Sequence, residues 1–463
     1  MHKEGENTTG SEKKGFWNFI DNIEGDKVVW IIVFMLLMIS ALCIFSSTSA
    51  LTDGSRSRVD LLKTHTYFIA GGLGLIWALY KIKSIRLFRG IAQTGFIFSL
   101  IPLLLMVSGA NLGFIKAANI NDATRSLLLF NKVQIHVFEM VKVLMVMYLA
   151  WALDEYQKDY EQMKANKKCT TFWIANRLAK KYKRLEFLSK SIWKRVLYLY
   201  GPVFIVTALC KPGSNSTMML VGGICMIILW IGRMPIKELL MIIVIGMLGL
   251  GSMIGIYYAS GGKVFKKMRI DTLVSRTTSD YDIYRLIDVE NDPEHGKKSK
   301  LWYKVRDKIK QPYTARIAIR QGGLLGKGSG NSTQKYIVTH IYSDYVFSFI
   351  VEEYGLVGGA IVILLFSSLL ARGALIAGWC HDNFAKIAVG GLTLMITAQA
   401  FLHIMVNVDI GFMTGQTLPL ISDGRFAFIM FCTAFGIILS ISKIAKKERD
   451  EAQAQLEREK NEN

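Results

Sequence analysis

The chain has 463 residues, of which 51% are hydrophobic and 20% charged, and its mean hydropathy is +0.31. The apolar residues come in long runs, which excludes an ordinary soluble chain, a disordered one and a disulfide-stapled secreted fold. The fold class this predicts is all-α, a polytopic integral membrane protein. The six cysteines (Cys43, Cys169, Cys210, Cys225, Cys380 and Cys432) form no CxxC and no Cys/His cluster with metal spacing, so neither a zinc site nor a disulfide framework is indicated. In a membrane chain the net charge of +20 is first a topology signal and not a sign of nucleic-acid binding.

A polar tail, residues 1–27, precedes the first apolar run at 28–50. Its length and the many runs that follow argue against a cleaved signal peptide. Further runs lie at 67–82, 91–114, 137–153, 196–209, 218–231, 239–258, 345–370, 387–408 and 418–441, ten in all. Basic residues fix the orientation. With the N-terminus in the cytoplasm, Lys81, Lys83, Arg86 and Arg89, the basic stretch 158–195, "GRMPIKE" and "SKIAKKER" all fall inside. Residues 173–188 and 189–195 alternate basic and apolar side chains, the pattern of helices lying on the inner leaflet. The transmembrane region is expected over 28–442, with an outer loop at 259–344 that forms a folded or lipid-lying cap, and 443–463 reads as a charged cytoplasmic helix. No Walker A motif and no GxGxxG after a soluble strand occurs, so ATP-driven transport and dinucleotide chemistry have no support.

Ionisable residues within apolar runs are costly unless paired or hydrated. The fourth run holds His136, Glu139 and Lys142, and the last two share a helix face. They fit either the charged wall of a cavity or a structural ion pair. "AIRQGGLLGKGSGNSTQK" places glycines among Arg320, Lys327 and Lys335, which suits either approach to a phosphate or a solvated loop. Asp344 stands at the mouth of the eighth run, as a general base or metal ligand, or as an N-cap shared with Ser343. Gly415 and Pro419 break the chain before the tenth run, near His403, Asp409, Asp423 and Arg425.

Four stretches in order resemble the SEDS family (shape, elongation, division and sporulation), whose members include FtsW and RodA. "GDKVVW…CIFSSTSA" is similar to the family's opening Asp and small-residue "YSAS" end. "NDATRSLLLFNKVQIHVFEMVKVLMVMYLA" resembles "NGARRW…QPSExxK", aligning Asn121, Ala123, Arg125, Glu139 and Lys142. "GGLLGKGSGNSTQK" with "SDYVFSFIVEEYGLVGG" resembles "GGLxGxGxGxSxQK…HTDFIFxxxxEExGxxG", and "TGQTLPLIS" the closing "TGxxLPFIS".

The resemblance implies a peptidoglycan glycosyltransferase of the bacterial inner membrane, both termini cytoplasmic and its active site facing the periplasm. Such an enzyme polymerises lipid II, an undecaprenyl-pyrophosphate disaccharide-peptide, beside a class B penicillin-binding protein and other division or elongation membrane proteins. The division members, FtsW, are the nearest in pattern; an elongation polymerase, a lipid II flippase and a non-catalytic scaffold are the alternatives. The family's catalytic Asp falls on Asp344, a possible ligand of a divalent cation such as Mg or Mn. Its cavity and substrate positions fall on Glu139, Lys142, Arg125, Gln334, Lys335, Lys327, Ser332, Thr414 and Ser422. Arg316 and Arg320 are further cations that could offset pyrophosphate charge. The family's "PEAHTD" reads here Thr339-His340-Ile341-Tyr342-Ser343-Asp344, its Trp is Ser126, and its "SYGGSS" begins Ser422-Asp423-Gly424-Arg425.

Overall fold

A computed structural model describes residues 24–51, 58–120, 123–130, 132–165, 171–261, 300–337, 342–410 and 414–462, with helical positions 270 and 291. The N-terminal tail up to residue 23 and most of the 262–299 part of the outer loop lie outside the described residues. Helix α1 (Lys27–Leu51) starts where the Asp26 carboxylate accepts the Val28 and Val29 N–H groups at 2.9 and 3.1 Å. Asp26 is almost fully buried, pairs with Arg372, and donates its own N–H to the Ser442 hydroxyl. The opening Asp thus joins three distant parts of the chain.

Helices α2 (Arg58–Tyr80) and α3 (Ile85–Val107) follow. Next comes a small antiparallel sheet in the order β1 (Ile115–Ile120), β2 (Ala123–Leu129), β3 (Val133–Ile135). The apolar-run pattern gave no sign of it, because its strands are short and only half-buried. Helix α4 (Val137–Lys164) runs well past the 137–153 apolar stretch. Helix α5 (Trp173–Lys181) and a 3₁₀ segment (Lys183–Ser189) lead into α6 (Ser191–Cys210), which contains a π turn at Val196–Tyr200. Residues 191–195, expected on the leaflet surface, instead begin α6. The physical cause is Asp159 on the extended α4, a buried carboxylate that holds the Lys194 ammonium at 2.8 Å inside the protein.

The remaining helices are α7 (Asn215–Ile231), α8 (Ile236–Ala259), α9 (Lys300–Gly322), α10 (Val346–Trp379), α11 (Asn383–Asn407) and α12 (Arg425–Glu462). Among the described residues seven helices (α1, α3, α6, α8, α10, α11 and α12) are long and apolar enough to cross a membrane, and α7 is a shorter apolar helix. The other two expected runs lie in α2 and α4. Residues 418–424, counted in the tenth run, form a turn, and α12 starts only at Arg425. Beyond residue 443 the charged tail continues α12 without a break.

Burial ranks the helices. In α11 and α12, 72% of the apolar window is covered by protein, and in α8 only 6%, so α11 and α12 are central and α8 faces lipid. Helix α11 packs on α4, α7, α10 and α12, and α9 lies along α10. The segment between α8 and α10 therefore contributes a packed helix.

Candidate active site

The glycine-rich segment and the paired glutamates form one unit. Helix α10 is broken at Gly355, whose φ of 69° and ψ of −172° leave helical space. The break frees backbone groups, and the loop after α9 takes them up. Lys327 and Gly328 donate their N–H groups to the carbonyls of Glu352 and Glu353 at 3.0 and 2.9 Å, and Leu356 N–H returns to Gly323 O at 2.9 Å. A Cβ on Gly322, Gly326 or Gly355 would lie 2.0–2.2 Å from a carbonyl oxygen of the opposite strand of this contact. The glycines thus let two backbones touch, and these N–H groups are directed at protein carbonyls rather than at a phosphate.

The glutamate side chains close the unit. Glu352 accepts from Lys327 Nζ at 2.6 Å, Ser332 Oγ at 2.5 Å and Thr333 N at 3.0 Å. Glu353 accepts from Ser46 Oγ at 2.5 Å and Gly330 N at 3.1 Å. Lys335 is buried and donates to Gly330 O at 2.7 Å. Gln334 is buried beside them and reaches Gln321. Four predicted site residues, Lys327, Ser332, Gln334 and Lys335, are therefore held inside this framework.

Asp344 stands apart from it. The Ser343 hydroxyl donates to Asp344 Oδ1 at 3.2 Å, and the N-cap of α10 is Tyr345, whose side chain makes no capping bond. Asn407, at the end of α11, acts there instead: its Oδ1 accepts the Ser348 N–H at 3.0 Å and the Ser348 hydroxyl at 2.8 Å. Its Nδ2 donates to Asp344 O at 3.2 Å and fixes the backbone of the carboxylate. The half-buried Asp344 side chain faces Gly415, where a Cβ would meet its Oδ2 at 3.7 Å. The turn 414–424 is docked on the same segment. Ser422 Oγ donates to Ser343 O at 2.8 Å and Asp423 N–H to Tyr342 O at 3.2 Å. Partial burial, with the Asp423 and Asp344 carboxylates nearby, raises the Tyr342 phenol above its usual pKa, so it remains a protonated donor at neutral pH. Beside Gly415, the Thr414 hydroxyl is buried without a hydrogen-bond partner among the described residues.

The turn also reaches the fourth-run pair. Lys142 is buried and donates to Glu139 at 2.7 Å, Gln399 at 2.5 Å and Gln416 at 3.2 Å. Gln416 Nε2 reaches Thr217 Oγ1 on α7 at 3.1 Å, and the His403 ring nitrogen Nδ1 lies 2.7 Å from Gln416 O. A carbonyl only accepts, so Nδ1 carries the proton. Glu139–Lys142 is the ion pair of the structural reading, and through Gln416 it braces the turn that faces Asp344. Arg125 lies half-buried on β2, near His136. Gln399 and Asn407 were missed, although a signal existed. With His403 they recur every four residues on α11, a polar stripe on an apolar helix.

The model of the FtsW/RodA/SpoVE family, described as cell cycle protein, matches residues 26–447. The chain belongs to this family. Over 130 residues it is 35% identical to stage V sporulation protein E of Bacillus subtilis (strain 168), covering 28% of this chain and 36% of that protein. Over 129 residues it is 36% identical to peptidoglycan glycosyltransferase MrdB of Escherichia coli (strain K12), covering 27% and 35%. Over 124 residues it is 35% identical to the probable peptidoglycan glycosyltransferase FtsW of Caulobacter vibrioides (strain NA1000 / CB15N), covering 27% and 32%. The chain thus matches about a third of the length of these relatives. Its fold is similar to a chain of a peptidoglycan synthase complex (TM-score 0.56, 20% identity, 91% of this chain and 98% of that one). It is also similar to rod shape determining protein RodA of Thermus thermophilus (TM-score 0.51, 17% identity, 91% and 98%). The architecture of this FtsW/RodA/SpoVE member is that of a multi-pass membrane protein.

Proposed function

We propose that this family member is a peptidoglycan glycosyltransferase that polymerises lipid II, working with a class B penicillin-binding protein that cross-links the glycan. It spans the bacterial inner membrane ten times, both termini lie in the cytoplasm, and Asp344 faces the periplasmic side. The observation that carries this reading is the setting of Asp344. Its carboxylate is half-buried and faces Gly415, where a Cβ would stand in ordinary contact at 3.7 Å from Oδ2, beside a Thr414 hydroxyl that has no hydrogen-bond partner among the described residues. Relatives named peptidoglycan glycosyltransferase support the reaction class.

In the reaction, the 4-hydroxyl oxygen of one sugar attacks C1 of another, and the bond from C1 to the pyrophosphate oxygen breaks. The hydroxyl proton passes to the Asp344 carboxylate, and the pyrophosphate leaves with the bonding electrons. Asn407 sets the backbone of the base. The Lys142 network sets the turn bearing Gly415 and Thr414, so Lys142 acts by positioning. Among the described residues no group of three or more His, Cys, Asp or Glu side chains gathers to hold a metal ion. A magnesium or manganese ion at Asp344 would therefore take most of its ligands from substrate phosphate and water, as such ions do in phosphate sites, and would offset leaving-group charge.

The test is purified protein in lipid bilayers with lipid II, with and without its transpeptidase partner. Glycan strands from the wild type and none from Asp344→Asn are expected. Lipid II crossing the bilayer without forming polymer would replace the polymerase by a transporter, and neither product would leave a scaffold.

A further inference from the structure

We propose that the cleft beside Tyr342 is a binding subsite for the peptide portion of the lipid-linked substrate, with Arg425 holding a peptide carboxylate and Asp423 a peptide amine. The proposal rests on the glycosyltransferase reading and names which part of that substrate the cleft takes. The cleft encloses about 50 Å³, room for a charged end group of the peptide, between α1, α2 and the 414–424 turn. Ile44, Phe68 and Phe428 form its apolar wall, and His65, Asp423 and Arg425 bring charge or hydrogen bonding to it.

Three features point to a ligand carrying both signs of charge. First, Asp423 and Arg425 line the same cleft, yet among the described residues neither enters an ion pair. The guanidinium lies over the Phe68 ring, 5.5 Å from its centre, which leaves its N–H edge for a carboxylate. Second, one carboxylate against one guanidinium gives a lining close to neutral. That suits an amine-and-carboxylate ligand and disfavours a multiply charged pyrophosphate. Third, His65 is held in place: Ser40 Oγ donates to Ile421 O at 3.2 Å, so His65 Nε2 is the donor to Ser40 Oγ, also at 3.2 Å. This leaves His65 Nδ1 as an acceptor.

The position fits the same substrate. Asp423 N–H is bonded to Tyr342 O, two residues before Asp344, so the cleft and the proposed base share one short segment. A sugar at Asp344 would place its attached peptide within reach of the cleft.

The experiment compares KM for three substrates: the lipid-linked disaccharide with its full peptide, with the peptide carboxylates amidated, and with the peptide removed. Wild type, Arg425→Gln and Asp423→Asn are assayed as full chains in nanodiscs with the partner. A charge-assisted contact of this kind is worth about tenfold in affinity. In the wild type, amidation should raise KM about tenfold with little change in kcat. In Arg425→Gln, the full-peptide and amidated lipids should have equal KM. A persistent tenfold preference in Arg425→Gln, or no wild-type preference, overturns the subsite. Should the wild type polymerise none of the three lipids, the glycosyltransferase reading falls by itself. Binding of the soluble disaccharide-peptide to wild type and Arg425→Gln then decides the subsite: about tenfold weaker binding upholds it, and equal binding rejects it.

Discussion

Two carboxylate sites stand eight residues apart in sequence, at Asp344 and Glu352, and they behave in opposite ways. Glu352 is buried and accepts from Lys327, Ser332, Thr333 and Gln334, with its carboxylate fully enclosed. Asp344 is half-buried, its backbone anchored by Asn407, its Oδ1 accepting from the Ser343 hydroxyl at 3.2 Å and its side chain facing Gly415. A carboxylate saturated by protein donors stabilises a fold, because its charge is already compensated. A half-buried carboxylate that solvent and ligand can reach is suited to exchanging a proton with a ligand. The richest motif in the sequence thus builds the frame, and the chemistry is proposed for the plainer Asp beside it.

The comparison is best broken by exchanging the two phenotypes. Asp344→Asn keeps the size of the side chain and the Asn407 bond to the backbone but removes the base. Polymerisation should fall by about 10²–10⁴ in rate, with an unchanged melting temperature. Near-normal glycan synthesis would remove Asp344 from the reaction. Glu352→Ala should do the reverse, costing about 3–5 kcal/mol by stranding the Lys327 ammonium and the loop donors. The protein that remains folded should work at nearly the wild-type rate. A stable Glu352→Ala protein with no activity would contradict the division between frame and site.

A second comparison sharpens the frame itself. Gly326→Ala adds a methyl group 2.2 Å from Glu353 O at a φ of +82°, so the loop must leave the α10 break. A loss of about 3 kcal/mol is expected, read as poor accumulation and a lower melting temperature. Gly330→Ala has a positive φ but no neighbour within 4 Å of its Cβ, so it should lose only about 1 kcal/mol. Equal losses would show that backbone strain, and not the close contact with α10, sets the requirement for glycine.

Much of this was legible in the chain. The apolar runs gave the helices because a membrane span is a local property of about 20 residues. The i,i+3 spacing of Glu139 and Lys142 gave their pairing for the same reason. What pairs across the fold was not legible: Ser46 with Glu353 is 307 residues apart, and Lys142 with Gln416 is 274. No local period encodes such contacts. The glycines illustrate the limit: their pattern suggested approach to a phosphate or a solvated loop, and only the fold shows that the group approached is the backbone of helix α10. The β1–β3 sheet was missed because hydropathy runs detect membrane spans, and three short strands at a helix mouth make none.

The Lys142 network lies between the two extremes. Lys142→Met leaves Glu139 without its partner and removes the bond to Gln416. Because the lysine acts through the turn, activity should fall about tenfold rather than vanish. Adding Glu139→Gln should recover part of it by removing the unpaired charge, a positive coupling in a double-mutant cycle. Additive losses would mean that the two residues act separately.

The smallest expected effect concerns Arg316, one of the cations the sequence offered for the pyrophosphate. Here it pairs with Asp409, linking α9 to the end of α11, and both side chains are more than two-fifths exposed, at 45% and 42%. An exposed pair is weakened by solvent and salt and contributes about 0.5 kcal/mol or less. Arg316→Ala should therefore leave the melting temperature within a degree or so, roughly what such an energy produces in a chain this large. If the guanidinium serves only this surface link, KM for lipid II is also unchanged. A cation in contact with the leaving group would behave differently, because its loss lowers kcat through the charge that develops as the C1–O bond breaks. Measuring kcat for Arg316→Ala at low and high salt separates the two: a salt-independent loss of tenfold or more would place Arg316 in the reaction and leave its pairing with Asp409 incidental.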